Sequence, residues 1–283
     1  ECVPYPHYGE SKDSVMAEIE TVRSGIESGM SRAELREALP AGAARNALDC
    51  ALWDLEAKLS GKRAWELAGI VPPLPVVSAM TLSLDSPENM AEAARASAHL
   101  PLLKLKVIGG GDLERVTAVR SGAPKSRLIV DANEGWQPEM LDNLLPALAE
   151  LGVEMVEQPL PAACDEALLG REFAIPVCAD ESCHTRADLD RLQGRYPMIN
   201  VKLDKSGGLS EALALVREAR ARGFRVMVGC MVGSSLSMAP AVLLTPFAEY
   251  VDLDGPLLLA RDCQPGLRYD GVTVHPPESS LWG

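Results

Sequence analysis

The sequence predicts an α/β fold: a parallel (β/α)8 barrel of the TIM type with a partial α+β capping domain. Three observations support this prediction. Short apolar, β-branched segments alternate eight times with amphipathic helical segments over residues 76–253. Residues 12–70 instead have a helical pattern throughout, and a proline cluster at 71–75 separates the two regions. A doubly wound open sheet is the rival fold, but it seldom contains eight such regular units.

Composition is that of a folded soluble protein. Of 283 residues, 47% are hydrophobic and 24% are charged, which excludes a disordered chain. The net charge of −13 argues against nucleic acid or an anionic membrane surface as a partner, and no apolar run is long enough to span a bilayer. Seven scattered cysteines argue against a disulfide framework and predict a cytoplasmic location.

Residues 1–72 are predicted to form the partial, mostly helical capping domain. Ser31 and Glu34 have the spacing of a capping box at a helix start. Further on, apolar residues recur at steps of three and four and predict one buried helix face that ends at Gly61. This predicted face comprises Ala44, Ala47, Leu48, Ala51, Leu52, Leu55 and Leu59.

Residues 73–258 are predicted to form the barrel, and residues 259–283 to return to the cap. The predicted strands are 76–83, 102–108, 127–132, 153–158, 176–180, 198–203, 225–230 and 250–253. The predicted helices are 87–99, 112–121, 138–151, 164–172, 186–193, 210–222 and 234–244. Ser86 before Pro87, and Ser210 with Gly223, are expected to cap two of these helices.

Charged residues stand at the predicted carboxyl ends of the strands, where barrels place their active sites. The second strand ends with Lys104 and Lys106, and the sixth with Lys202. The third, fourth and fifth strands end with carboxylates, namely Asp131, Glu157 and Asp180. Three converging carboxylates would repel one another without a cation, and an oxygen-only ligand set suits Mg²⁺ or Mn²⁺. The sequence therefore predicts a divalent metal site at the barrel mouth.

Lys106 and Lys202 are expected to face each other across that metal. A metal that chelates a substrate carboxylate acidifies the adjacent C–H bond, because the enolate formed places its charge on the chelated oxygens. A lysine base must then be neutral, which requires its pKa to fall towards about 7–8. With one lysine on each face of the carbon, a proton can leave one side and return on the other. Such a site would invert a stereocentre.

The sequence resembles the enolase superfamily, muconate-lactonizing-enzyme subgroup, and within it the dipeptide epimerases of the L-Ala-D/L-Glu type. The resemblance extends over nearly the whole chain. No single motif would identify the family, but together the motifs are highly specific for it. They are Ala43–Asp49 with Trp53–Leu55, Lys104–Lys106, Asp131–Asn133, Glu157–Pro159, Ala179–Ser182, Asn200–Gly208 and Asp252–Gly255.

This resemblance implies a Mg²⁺-dependent epimerase of dipeptides that works by 1,1-proton transfer through a metal-stabilised enolate, in cell-wall turnover. Asp131, Glu157 and Asp180 would bind the metal, and Lys106 and Lys202 would be the acid/base pair. Lys104 would help to hold the substrate carboxylate. Asp252 and Asp254 would bind the free α-ammonium, and Thr81 would contact the substrate backbone. Barrels of this type often assemble, so a homo-oligomer is expected.

Several alternatives stay open. Family members carry a longer N-terminus, so a segment before Glu1 is expected to be missing, and Gly229–Ser235 lacks an acidic residue found in some relatives. The site also suits an N-acyl amino acid racemase (for example of N-acetylglutamate), a cycloisomerase or a dehydratase. A catalytically inactive barrel that serves as a binding protein is a further reading. Asp252 and Asp254 could instead belong to a turn, and Lys205 is assigned to a loop.

Overall fold

The computed structural model describes residues 1–283 and contains an eight-stranded parallel sheet. The eight strands pair in the order in which they occur in the sequence. A hydrogen bond of 2.7 Å from the Ala79 amide to the Val251 carbonyl joins the last strand to the start of the first. The strands are β2 Met80–Leu82, β3 Leu102–Lys106, β4 Arg127–Asp131, β5 Val153–Glu157, β6 Val177–Ala179, β7 Met198–Val201, β8 Arg225–Val228 and β9 Tyr250–Val251. The predicted barrel fold is confirmed.

One layer of side chains fills the barrel interior. Each strand, or the residue just before it, contributes one member, and all are buried: Ala79, Leu102, Ile129, Met155, Cys178, Met198, Met227 and Tyr250. Residues of the opposite parity, such as Leu103, Leu128 and Val156, belong instead to the large cluster between the sheet and the helices. The alternation follows from the two-residue period of a strand, and it determines which side chains reach the barrel mouth.

The helices surround the barrel and build the cap. They are α1 Lys12–Glu27, α2 Arg32–Ala38, α3 Ala43–Ser60, α4 Ala64–Leu67, α5 Pro87–Ala96, α6 Asp112–Gly122, α7 Leu141–Glu150, α8 Leu189–Leu192, α9 Leu203–Ser206, α10 Leu209–Ala221 and α11 Ser235–Val242. The capping box at Ser31 and the Ser86 cap before Pro87 are both present. The longest helix, α3, ends at Gly61, as predicted from its apolar pattern.

Three local predictions are wrong. The predicted strand 76–83 is two strands, because Val76–Val77 (β1) pairs antiparallel with Thr273–Val274 and only β2 enters the barrel. The predicted helix 164–172 reduces to a single 3₁₀ turn at Asp165–Leu168. Ser210 does not cap α10, since that helix begins at Leu209 after Gly208, and the Ser210 hydroxyl accepts instead from Trp53 Nε1 at 2.9 Å.

The buried face of α3 also differs from the predicted one. Leu55 and Leu59 are 50% and 78% exposed. The buried positions include Asn46, Asp49 and Trp53, so that this face of the helix is partly polar. The apolar pattern located the helix but not its packing face, because hydrogen-bonded polar side chains line the contact between α3 and the barrel.

The C-terminal segment forms a small sheet and returns to the cap. Strands Tyr269–Asp270 (β10) and Thr273–Val274 (β11) complete a three-stranded antiparallel sheet with β1. Trp282 Nε1 donates to the Cys50 carbonyl at 2.9 Å, and the Gly283 amide donates to Asp54 Oδ1 at 2.7 Å. No helix in the structure is both long and apolar enough to cross a membrane.

Candidate active site

Six of the nine predicted site residues occupy the barrel layer next to the interior cluster. Thr81, Lys104, Asp131, Glu157, Asp180 and Asp252 each follow a member of that cluster by two positions in the chain. Side chains two apart on a strand share a face, so these groups point into the barrel at its carboxyl end. The register also places Lys106 beside Asp131 and Asp131 beside Glu157 on adjacent strands. The barrel thus assembles the site from single residues on successive strands.

Lys104 lies at the centre of an ion-pair cluster. Its Nζ atom is 3.0 Å from Asp131 Oδ2, 2.8 Å from Glu157 Oε2 and 2.7 Å from Asp252 Oδ2. All four side chains are buried. Burial alone would lower the pKa of Lys104, but the three carboxylates outweigh it and raise that pKa well above its ordinary value. Lys104 is therefore a fixed positive charge beneath the barrel mouth.

A second cluster forms around Asp180. Lys202 Nζ donates to Asp180 Oδ2 at 2.6 Å, and Lys205 Nζ donates to Asp180 Oδ1 at 2.6 Å. The Lys205 side chain is completely buried within α9 and does not lie in an exposed loop, so its loop assignment is wrong. One helical turn separates Lys202 from Lys205, which brings both amines to one carboxylate. That three-residue spacing is the sequence signal that could have identified Lys205.

Lys106 and Lys202 come from opposite sides of the barrel. Lys106 ends β3 and Lys202 follows β7, four strands further along an eight-stranded barrel. Lys106 Nζ donates to Asp131 Oδ2 at 2.7 Å and to Asn133 Oδ1 at 2.9 Å. The two amines therefore approach the carboxylate cluster from different flanks, and the Lys106 side chain is the more exposed of the two.

Burial and neighbouring charge shift the pKa values of the carboxylates in opposite directions. Burial alone would raise the pKa of Asp131, but Lys104 and Lys106 lower it to about 2. Burial, reinforced by Asp131, raises the pKa of Glu157 to about 7. Burial opposes ionisation of Asp180 as well, yet Lys202 and Lys205 hold its pKa well below the ordinary value. Of the three carboxylates, Glu157 is thus the one most easily protonated, whereas Asp131 and Asp180 stay ionised.

The expectation of a lowered lysine pKa is wrong for Lys202 in this structure. Burial alone would lower the pKa of its ammonium group, but Asp180 and Glu157 outweigh burial and raise it well above the ordinary value. Lysine and carboxylate charges here neutralise each other directly.

The donor set has the chemistry of a hard-cation site but not its arrangement. No three His, Cys, Asp or Glu side chains are grouped around a common metal position, because Asp131, Glu157 and Asp180 each turn towards a lysine. Three buried carboxylates from adjacent strands nevertheless provide oxygen ligands only. These residues therefore fit Mg²⁺ by ligand type and location.

Asp252 and Asp254 are buried near β2, the first strand of the barrel. Asp252 pairs with Lys104 through Oδ2, whereas its buried Oδ1 atom has no hydrogen-bond partner. Asp254 Oδ2 accepts from the Thr81 amide at 2.8 Å, and burial together with Asp252 raises its pKa to about 6. Asp254 precedes a 3₁₀ helix but its side chain does not cap that helix. A capping role in this turn therefore does not account for the buried carboxylate of Asp254.

Polar residues that the sequence analysis missed support the cluster. Asn200, two positions before Lys202 on β7, donates from Nδ2 to Glu157 Oε1 at 2.6 Å. Gln158 Oε1 accepts from the amides of Asp180 and Ser182 at 2.8 and 3.2 Å. Glu181 is a further acid, and burial followed by the charge of Asp180 raises its pKa to about 8. Asn200 lies two positions after the interior residue Met198, so the two-residue period of a strand could have identified it as a site residue.

The cap reaches the edge of the site through its first residues. The Tyr8 ring packs edge-on against His184, with 4.6 Å between ring centroids. Tyr8, Glu10, His184 and Lys205 line a cavity of about 250 Å³ between cap and barrel. A larger cavity of about 530 Å³, lined by Arg171 and Phe224 among others, lies at the amino ends of the strands and away from the lysine–carboxylate clusters.

Comparisons with known proteins give a consistent picture. Residues 88–280 match the enolase C-terminal domain-like family, and residues 1–69 match the N-terminal domain of mandelate racemase and muconate lactonizing enzymes. The L-Ala-D/L-Glu epimerase of Escherichia coli is 50% identical, with 97% of this chain and 86% of the relative covered. An N-acetyl-D-glutamate racemase of a Pseudoalteromonas species is 47% identical over 100% of this chain and 90% of the relative.

A solved structure is equally similar. A crystal structure of an Agrobacterium tumefaciens enolase family member with homology to dipeptide epimerases contains sodium and L-Ala-L-Glu, and it superposes with a TM-score of 0.97 at 51% identity. The superposition covers 100% of this chain and 86% of that one. The matches to both domain families and these full-length similarities establish that this chain belongs to the mandelate racemase/muconate lactonizing enzyme group of the enolase superfamily.

Proposed function

We propose that this protein is a Mg²⁺-dependent epimerase of dipeptides, with L-Ala-D/L-Glu as its substrate, that works by 1,1-proton transfer. The observation that carries the proposal is the placement of Lys106 and Lys202 on opposite sides of one carboxylate cluster. Racemisation at a carbon needs a proton to leave one face and arrive at the other, so two bases on opposite flanks suit this reaction.

Asp131, Glu157 and Asp180 would hold the Mg²⁺, for which Mn²⁺ could substitute. When bound, the metal supplies positive charge next to the substrate carboxylate and so lowers the cost of removing the α-proton. Lys104 already lies within 3.0 Å of two of these carboxylates. From there, its ammonium group would hold the substrate carboxylate in place.

Lys106 Nζ and Lys202 Nζ would exchange roles according to the direction of the reaction. One neutral amine takes the α-proton, and the opposite ammonium returns a proton to the other face. In this structure both amines donate to carboxylates, at 2.7 Å for Lys106 and 2.6 Å for Lys202. A lysine that acts as base must first release its proton and turn away from its carboxylate partner. Binding of Asp131 and Asp180 to another cation would therefore favour the neutral, reactive form of each lysine.

Asp252 and Asp254 would bind the free α-ammonium of the dipeptide, and Thr81 would contact its backbone. The unpartnered, buried Oδ1 of Asp252 supports this role, because a buried anion needs a compensating donor. The 50% identity to an L-Ala-D/L-Glu epimerase and the dipeptide bound in the 51% identical structure support the same substrate class.

The direct test is α-proton exchange in D₂O against a panel of dipeptides, with Mg²⁺ present, followed by NMR. L-Ala-L-Glu and L-Ala-D-Glu should each lose the α-proton of glutamate and interconvert. Absence of exchange with every dipeptide, despite Mg²⁺ binding, would overturn the proposal and favour a barrel that serves only as a binding protein.

The second candidate is an N-acyl amino acid racemase that uses the same lysines. The relative called N-acetyl-D-glutamate racemase, at 47% identity over the whole chain, favours it. An N-acyl substrate has no α-ammonium, so Asp252 would then serve only to pair with Lys104. Equal turnover of N-acetylglutamate by the unaltered protein and by Asp252→Asn, with no dipeptide turnover, would select this candidate. Cycloisomerase and dehydratase activities would be tested with the same variants.

The proposed setting is the cytoplasm, where the enzyme would process cell-wall dipeptides as a homo-oligomer. All seven cysteines are free, which suits a reducing compartment. A fractionation experiment and measurement of the molar mass in solution would test location and assembly.

A further inference from the structure

The turn that follows β7 carries Lys202 at its start, and the cap holds this turn from outside the barrel. Within the turn, the Lys202 carbonyl accepts from the amides of Lys205 and Ser206 at 3.1 and 3.0 Å and from the Ser206 hydroxyl at 2.8 Å. The segment from Lys202 to Ser206 is therefore internally stiff. Displacement of its far end would move Lys202.

Three buried polar residues of α3 contact that far end. Arg45 donates from Nη2 to the Ser206 carbonyl at 2.8 Å and from Nε to the Gly207 carbonyl at 3.1 Å. Asn46 Nδ2 donates to Asp204 Oδ1 at 2.8 Å. The third residue is Asp49. Each of the three side chains is less than a tenth exposed, so water does not readily replace their hydrogen bonds.

The approach of helix and turn is close enough to require glycine. A Cβ atom on Gly207 would lie 2.4 Å from Arg45 Nε, and one on Gly208 would lie 2.5 Å from Asp49 Oδ2. Both glycines have positive φ angles, of 75° and 107°. Asp49 Oδ2 also accepts from the Ser210 amide at 2.9 Å. The cap helix therefore fixes the turn in position and in backbone conformation.

The cap does not hydrogen-bond the backbone around the opposite lysine, and it reaches that side of the barrel through a side-chain contact of 3.0 Å from His7 Nε2 to Glu134 Oε2, in the loop after β4. Lys106 bonds only to Asp131 and Asn133, both of which belong to the barrel. We infer that Arg45, assisted by Asn46 and Asp49, is a positioning residue through which the cap sets the place of Lys202 Nζ but not that of Lys106 Nζ. The inference rests on the proposed function, since it assigns the cap to one of the two proton-transferring amines.

The test measures α-proton exchange in D₂O separately for the two epimers of Ala-Glu. Lys202→Ala identifies the epimer whose exchange depends on Lys202. In Arg45→Met, exchange of that epimer should fall about tenfold to a hundredfold, as expected for a misplaced reacting group, while the other epimer stays within about threefold of the unaltered protein. Arg45→Lys, which keeps the charge but not the forked donors, should give a smaller loss with the same asymmetry.

The matched control is Asp54→Asn on the same helix. Asp54 bonds to Gly283 and Lys58 rather than to the turn, so its loss should affect both epimers equally. If Arg45→Met does not fold, Asn46→Ala should show the asymmetry. Equal losses for both epimers in Arg45→Met and Asn46→Ala would overturn the inference alone. Absence of exchange in the unaltered protein would overturn the proposed function, and the inference with it.

Discussion

Lys205 Nζ donates to both the backbone carbonyl and the side-chain Oδ1 of Asp180, at 2.5 and 2.6 Å, and neither side chain is accessible to solvent. A third bond, of 3.0 Å, reaches the Asn200 carbonyl. One lysine thus joins the ends of two adjacent barrel strands, β6 and β7. This arrangement leaves Asp180 Oδ2 for Lys202 and fixes the carboxylate between two amines.

Lys205→Met should therefore reduce the free energy of unfolding. Removal of one partner from a buried ion pair typically costs about 3–5 kcal/mol, and the remaining pair of Asp180 with Lys202 places the expected loss near the lower figure. Urea denaturation measures it. The control is Lys58→Met, which removes a surface pair with Asp54 and should cost less than about 1 kcal/mol. Equal, small losses in both variants would contradict the structural role of Lys205.

Much of this site could be predicted from sequence because a barrel repeats one simple rule. Five of the eight βα units present a charged residue two positions after an interior residue, so that Asp131, Glu157 and Asp180 share one layer. Period-two alternation within each strand and the recurrence of carboxylates from unit to unit are both legible in the sequence. The fold and the position of the candidate site follow from them.

The contacts between distant parts of the chain could not be predicted in this way. The pattern of α3 suggested that Leu55 and Leu59 are buried, whereas the helix packs through Arg45, Asn46 and Asp49. Polar side chains are stable in such a contact only because the turn at 204–210 supplies partners, and one sequence does not show that pairing. The split of the strand 76–83 has the same origin, since β1 pairs with β11 from the C-terminal segment.

Asp204→Asn should change the pH dependence of stability. Burial raises the pKa of Asp204 from 3.8 to about 6, so between these pH values the folded state binds a proton more tightly than the unfolded state does. Its contribution to stability is thus fully present below about pH 4 and is lost as the pH rises through about 6. Above that pH the variant should be more stable than the unaltered protein, by up to about 3 kcal/mol.

Chemical denaturation at about pH 4 and pH 8 provides the measurement. The Asp204→Asn variant and the unaltered protein should agree at the lower pH and diverge at the higher one. Asp190→Asn, whose side chain is 88% exposed, is the control and should show no such divergence. A variant that is less stable at the higher pH would show that Asp204 is ionised without penalty.

Asp254→Asn should separate dipeptides from N-acyl substrates. Loss of one partner of a buried charge pair costs about 2–5 kcal/mol, so kcat/KM for L-Ala-L-Glu should fall at least about thirtyfold. N-acetylated Ala-Glu lacks the ammonium group, and its turnover should change little. Asp254 does not pair with Lys104, so this variant is cleaner than Asp252→Asn. Equal losses for both substrates would exclude ammonium recognition by Asp254.

Mg²⁺ binding should depend on the three carboxylates. Isothermal titration with Mg²⁺ should detect one site per chain in the unaltered protein, and Glu157→Gln should weaken it at least about tenfold, because a neutral amide is the poorer ligand. A chelator should abolish proton exchange, and added Mg²⁺ or Mn²⁺ should restore it. Glu154→Gln, on the same strand but paired with Arg127 outside the cluster, is the control. Unchanged affinity in Glu157→Gln would exclude Glu157 as a ligand.

The most direct measurement is α-proton exchange in Lys106→Ala and Lys202→Ala with each epimer of Ala-Glu in D₂O. Neither variant should convert one epimer into the other. Each should exchange the α-proton of one epimer only, and the two variants should retain opposite epimers, because each keeps the amine on one face of the carbon. Retention of the same epimer by both variants, or undiminished interconversion in either, would contradict the placement of two bases on opposite faces of the substrate.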